Sequence, residues 1–333
     1  MKRIFGMLVF VLLVMPSAFA QKVGSHIEII PTAYGCEDFA LDDKSQESQR
    51  LLVSCDDRRG KHPEVNGLYT LDLISHEFKR IAISGIGIES FHPHGIYLLE
   101  NDRGSWLYVI NHQYKKENSQ RRSFSQILLF KVKAERLDFV MDLGEAEGAS
   151  AFELPNDLFV MPNGEIYLAN SLSLRHSLLH YSPESQRWTT LARGYVFANG
   201  VHVKDKVLYL HDSFSGKQLA FDVRPSGTLE NRRVSARRLG AVDNITENAS
   251  GDLLYAGAKK LGGYLRYYIA PGYRPESLVA RQHGETLQVL AGSLRQTIRT
   301  PSVAFEYGDR LYLGQVFEGF IAVITDPNWI DRK

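Results

Sequence analysis

The sequence predicts an all-β fold, a six-bladed β-propeller with four-stranded blades, closed by the amino-terminal strand completing the last blade. One template of strand, turn and strand is written six times, opening at Glu37, His94, Asn156, Asn199, Asp243 and Ser302. The steps between these residues are 57, 62, 43, 44 and 59, a spacing that suits a propeller blade and is too long for a helical repeat. Between the copies lie further pairs of alternating apolar and polar residues around polar or Gly/Pro turns, which bring each unit to four strands.

In chain order, Lys2 and Arg3 precede an apolar run over residues 4–14, and Ala18-Phe19-Ala20 supplies small residues before Gln21. This predicts a cleaved signal peptide over 1–20 and export, to the periplasm or the medium. The run falls short of the ~20 residues a membrane-spanning helix needs. Residues 21–333 then read as one propeller domain, and residues 26–30 (HIEII) as the strand that closes the ring.

The first blade combines the copy at Glu37 with GLYTLDLISHEFKRIAIS. Cys36 and Cys55, the chain's two cysteines, nearly face each other across that hairpin; a disulfide and two buried thiols are both open. The second blade joins the copy at His94 to SQILLFKVKAERLDFVMDL, with the polar, mostly basic residues 114–122 read as a solvated loop. The third and fourth blades pair the copies at Asn156 and Asn199 with SLLHYSPESQRWTTLA and KQLAFDVRPSGTLENRRVSA. In the fifth, GYLRYYIAPGY and TLQVLAGS read as strands beyond Asp243, so no long helix is expected. The sixth, from Ser302 through GFIAVITD, ends one strand short and receives residues 26–30, which removes exposed sheet edges.

The chain carries 39 basic and 38 acidic residues. That balance gives no electrostatic case for nucleic acid or for docking on an acidic membrane, and leaves a small molecule as the expected partner. Oligomeric state is not legible.

Strands that radiate from one axis bring their leading residues together. Glu37, Asn156, Asn199, Asp243 and Asn244 offer only oxygen donors, which suit a hard cation; calcium accepts six to eight oxygens in loose geometry, whereas zinc recruits histidine or thiolate. A lone Asn or Asp heading a strand more often caps a turn, but that role does not require the same place in separate blades. Asp38 and Asp157 each follow such a residue and point the opposite way along the strand; they read equally as ligands of a second, deeper ion or as buried acids held by backbone amides. His94 and His112 sit at the first and nineteenth positions of one copy and are candidates for a general base. His92, His202 and His211 read as core histidines.

In order along the chain, GCED around Glu37-Asp38, FHPHGI (91–96), VINH (109–112), PND (155–157), FANG (197–200), VDNI (242–245) and LGQVF (313–317) resemble the paraoxonase and arylesterase family. More distantly the chain is similar to gluconolactonase and regucalcin propellers. The resemblance implies a calcium-dependent hydrolase of lactones and aryl or carboxylic esters with two ions in the central tunnel. It matches Glu37, Asn156, Asn199, Asp243 and Asn244 to the ligands of a catalytic calcium. Asp38, Asp157 and the carbonyl of Ile96 match those of a structural one, and His94 and His112 a dyad that activates water. Glu37 or Asp243 remain alternatives as base or nucleophile. Where the family carries a Cys-His pair this chain has Ala258-Lys259, which changes one wall of the pocket, and a long aromatic lid is represented by the shorter SLSLRHSLLHYS. Two other readings stay open: a sugar-lactone hydrolase, and a calcium-stiffened binding propeller without catalysis.

Overall fold

The computed structural model describes residues 26–44, 49–87, 91–117, 120–290 and 297–325; the predicted signal peptide lies outside them. Six sheets are arranged as a six-bladed propeller. The first strands of the blades are Cys36–Asp42, Pro93–Asn101, Leu154–Val160, Ala198–Lys204, Ala241–Glu247 and Pro301–Tyr307. Each packs on the first strand of the next blade, and the sixth packs on the first, so these strands form a closed ring. His26–Pro31 runs antiparallel to Phe320–Thr325, from His26 against Thr325 to Pro31 against Phe320, and completes the sixth blade as predicted.

The core lies between blades because each strand sends alternate side chains to its two neighbours. From Arg50–Cys55, Leu51 and Val53 pack against Val303, Tyr312 and Val323 of the sixth blade. Leu52, from the same strand, packs against Ile96, Leu107 and Val109 of the second. Both faces are buried, which is why this strand is apolar at consecutive positions and not alternating.

Three expectations are corrected. Residues 114–117 and 120–122 are not a loop: they extend a long hairpin, Gly104–Glu117 with Gln120–Val132, in which Tyr114 faces Ser123 and Glu117 faces Gln120; residues 118 and 119 lie outside the described residues. Cross-strand pairing satisfies the backbone polar groups of the paired segments. The segment read as GYLRYYIAPGY is not a strand. Leu261–Ile269 is an α-helix, with Leu261, Tyr264, Leu265 and Tyr268 at helical spacing and Pro271 stopping continuation; the third strand of that blade is Ser277–His283. Finally, KRIAIS is split. Phe78–Arg80 stays in the first blade, while Ala82–Ser84 pairs in parallel with Arg136–Asp142 and gives the second sheet a fifth strand.

Cys36 and Cys55 face each other in register and are joined by a disulfide, which settles the alternative left open by the sequence and fastens the strand beside Glu37.

Candidate active site at the hub

All six template-leading residues sit where the first strand loses register with the second. The irregularities fall between Cys36 and Asp38, Pro93 and Ile96, Pro155 and Asp157, Ala198 and Val201, Val242 and Ile245, and Pro301 and Val303. A bulge frees one residue from the ladder and re-aims its side chain, and here it does so for Glu37, His94, Asn156, Asn199, Asp243 and Ser302. Two glycines let the bulges close up. A Cβ on Gly95 would lie 2.5 Å from the Asn156 carbonyl oxygen, and one on Gly200 would lie 2.7 Å from that of Asp243.

Glu37, His94, Asn156, Asn199 and Asp243 line one small cavity of about 50 Å³, with Ala258 and Tyr264 in its wall. Asn244 is beside it, its Nδ2 donating to the Glu37 carbonyl at 3.3 Å. Asn199 Nδ2 donates to Asp243 Oδ1 at 3.0 Å and to the Val242 carbonyl at 3.2 Å. The amide oxygens Oδ1 of Asn156, Asn199 and Asn244 are buried without a hydrogen-bond partner. Buried polar atoms are seldom left so; three such acceptors on residues in and beside this cavity fit a cation that takes oxygen ligands. Among the described residues no three His, Cys, Asp or Glu side chains form a metal cluster; the donor set at the hub is mixed, with three amides and two carboxylates.

On the other side of the hub, Asp38, Asp157 and Ile96 line a second cavity of about 230 Å³ with His202 and Glu247. Asp38 accepts from the amides of Phe39 at 2.9 Å and Ile96 at 2.7 Å, and Asp157 from those of Leu158 and Val201, both at 2.8 Å. These carboxylates therefore already tie neighbouring blades together, while each oxygen keeps lone-pair capacity. Four acids so enclosed resist ionisation. Burial pushes Asp38 up to about 8. It raises Glu37 as well, and raises Asp157 and Asp243 strongly, with Asp38 adding repulsion at Asp157 and Glu37 at Asp243. A divalent cation would reverse that balance.

The His94 and His112 rings meet edge to face with centroids 4.8 Å apart. His94 Nδ1 lies 3.2 Å from Glu37 Oε2, His112 Nδ1 lies 2.9 Å from Ser125 Oγ, and both Nε2 atoms are buried without a partner. Burial, reinforced by the Arg58 charge, lowers both rings, His94 well below its usual range and His112 to about 4, so both are neutral near pH 7. The other histidines divide. His211 is fully buried, whereas His92 lines the outer pocket and pairs with Asp56 at 2.9 Å, and His202 lines the lower cavity.

Above the hub a pocket of about 480 Å³ is walled by Leu154, Leu172, Phe197, Tyr264, Leu265 and Tyr268, with His94, His112, Arg58 and Arg59 on its polar side. Sequence reasoning missed Arg58 and the helix that carries Tyr264. The run Asp56-Asp57-Arg58-Arg59, charged residues next to a buried hairpin end, was the available signal for Arg58; helical spacing from Leu261 was the signal for Tyr264.

A closed ring of six blades with a polar, oxygen-lined hub beneath an apolar pocket defines a propeller with its candidate site at the hub. The chain belongs to the arylesterase family, whose sequence model matches residues 60–321. Among curated proteins none matches it in sequence. Its fold is similar to that of a luciferin-regenerating enzyme, with TM-score 0.61 and 13% identity over 91% of this chain and 96% of that one. It is also similar to a putative gluconolactonase, with TM-score 0.60 and 14% identity over 91% and 92%. A gluconolactonase from Xanthomonas campestris follows, with TM-score 0.57 and 15% identity over 91% and 90%. Family membership supports a hydrolase of esters or lactones that acts on a small molecule.

Proposed function

We propose that this protein is a calcium-dependent lactonase and arylesterase, exported after removal of residues 1–20. The observation that carries the reading is the set of unsatisfied amide oxygens at the hub: those of Asn156 and Asn199 in the cavity that Glu37 and Asp243 line, and that of Asn244 on a side chain bonded to the Glu37 carbonyl. Glu37, Asn156, Asn199, Asp243 and Asn244 would hold the catalytic ion, and Asp38, Asp157 and the Ile96 carbonyl the structural one. When bound, calcium supplies Lewis-acid polarisation of an acyl carbonyl.

His94 is the proposed base. It is neutral near pH 7, and its Nε2 is free to take a proton from water when Nδ1 keeps its hydrogen towards Glu37. His112, anchored by Ser125, fixes the second edge of the water site. The walls formed by Leu154, Leu172, Phe197 and Leu265 favour an acyl or aryl group over a hydrophilic sugar ring.

The test is hydrolysis of phenyl acetate, an acyl lactone and an aldonolactone by the mature chain, before and after chelation with EGTA. Turnover of the first two should vanish with EGTA and return with calcium, and His94→Gln should lower kcat by roughly two to four powers of ten. Turnover insensitive to chelation removes calcium from the reading. Full activity of His94→Gln removes the histidine, and preference for the aldonolactone favours the sugar-lactone alternative.

A further inference from the structure

Arg58 is the residue that the proposed reaction leaves unexplained. Its guanidinium reaches both Glu37 Oε2 and His94 Nδ1, inside the wall of the pocket. Its Nη1 is buried without a hydrogen-bond partner. Beside it, the Arg59 guanidinium lies 4.4 Å from the Phe317 ring centroid and 4.7 Å from that of Tyr267, and donates to the Tyr267 carbonyl at 3.1 Å.

Among the described residues no hydrogen bond joins Arg58 to Asp56 or Asp57, although the Asp56 charge acts on it through space. Asp56 is engaged by His92, and Asp57 accepts from the backbone amides of Arg59, Lys61 and His62. Given the proposed function, on which this inference rests, Glu37 turns to a cation and Arg58 faces that cation's charge. A guanidinium in that position, with a spare buried donor, is matched by an incoming anion, and the planar fork suits a carboxylate.

We propose that Arg58 is the anion-recognising residue of the pocket, so that the substrate class is an ester or lactone bearing a separate carboxylate. The same contact bears on the base. An N–H of Arg58 donating to His94 Nδ1 places the ring hydrogen on Nε2, the tautomer that cannot accept a proton from water. Drawing Arg58 onto a substrate carboxylate uncovers Nδ1; the ring gives its Nε2 proton to water and takes one from water at Nδ1, with no net change in charge, so that Nδ1 donates to Glu37 and Nε2 is left as acceptor. Binding of the anion and readiness of the base are then coupled.

Two aryl esters that differ in one charge test this: phenyl hydrogen glutarate, which carries a carboxylate, and its neutral methyl ester. In calcium, wild-type kcat/KM should favour the carboxylate by roughly ten- to a hundredfold, the range of a charge-assisted pair. Arg58→Gln should bring the ratio near one, whatever it does to either rate, and Arg58→Lys should retain part of the preference. Equal values in wild type, or a preference unchanged in Arg58→Gln, overturn the proposal. If neither ester is turned over, it is the hydrolase reading that fails. Calorimetry with glutaric monoanilide and its methyl ester then decides the matter: binding of the acid alone, lost in Arg58→Gln, supports anion recognition, and absence of that binding, or its persistence in the variant, overturns it.

Discussion

Replacing Asn156 by Leu separates a cation ligand from a structural cap, because the two roles give opposite signs. Asn156 is 8% exposed, and its Oδ1 is buried without a partner. Leaving such an acceptor unsatisfied costs about 1–3 kcal/mol, so in EGTA the near-isosteric Leu should leave stability unchanged or raise it by up to that amount. In calcium the order should reverse. A ligand at a hundredfold excess over its Kd stabilises the folded state by about 2.7 kcal/mol, and the variant should forgo the share that comes from the upper cation. The lower cavity keeps Asp38 and Asp157 in both proteins, so the quantity to compare is the difference between their calcium-induced gains. Thermal unfolding followed by circular dichroism, in EGTA, in calcium and in magnesium as a charge control, measures it. An Asn156→Leu protein equally destabilised with and without calcium refutes the argument and makes Asn156 a structural cap.

Gly200→Ala should cost about 1–3 kcal/mol, since its Cβ would lie 2.7 Å from both the Asp243 carbonyl oxygen and Ile245 Cγ1; urea unfolding reads the loss, and a neutral substitution removes the close approach as a requirement. Cys55→Ser should lower stability by about 2–4 kcal/mol, and the reduced wild-type protein should unfold like the variant if the Cys36–Cys55 bond is the cause. His211, whose Nε2 donates to the Gly240 carbonyl at 3.0 Å, is lowered to about 4 by burial. With an unfolded value near 6.5, its contribution is intact above pH 6.5 and lost as pH falls towards 4, because only the unfolded state takes up the proton in that window. His211→Gln should therefore flatten part of the stability decline between about pH 6.5 and 4, and an unchanged slope excludes this ring as a source of acid sensitivity.

The blade count, the closing strand at residues 26–30 and the set of leading residues are written in local pattern, and so are legible without coordinates. Period-two alternation reports a strand whose two faces differ, and a repeat reports itself. What local pattern does not report is where a strand leaves its ladder. No residue type marks the six bulges, because a bulge is a mismatch between two strands and depends on both lengths. The helix Leu261–Ile269 was hidden for a different reason: LGGYLRYYI satisfies alternation over a few residues while also placing Leu261, Tyr264, Leu265 and Tyr268 on one helical face. Arg58 was hidden by its neighbours, since Asp56-Asp57-Arg58-Arg59 reads as a solvated turn until the pocket is seen to form over it.

The hub oxygens and the ring share one hydrogen-bond network, and that constrains how the site can change. Asp38 joins the first blade to the second through the Ile96 amide, and Asp157 joins the third to the fourth through that of Val201. Asn199 joins the fourth to the fifth at the Val242 carbonyl. Asn244 and Ser302 bring the fifth and sixth back to the Glu37 carbonyl of the first, at 3.3 and 2.8 Å. Between the second blade and the third, Gly95 lies against the Asn156 carbonyl, where it has no side chain to hold the backbones apart. Removing a carboxyl group such as that of Asp38 therefore strips two buried amides of their acceptor, at about 1–3 kcal/mol for each unpaired group. The amide oxygens of Asn156, Asn199 and Asn244 carry none of these bonds. Asn199 and Asn244 nevertheless hold ring bonds through Nδ2, so of the three it is Asn156 that substitution can reach while those bonds stay intact, and Asn156 that reports on the cation alone.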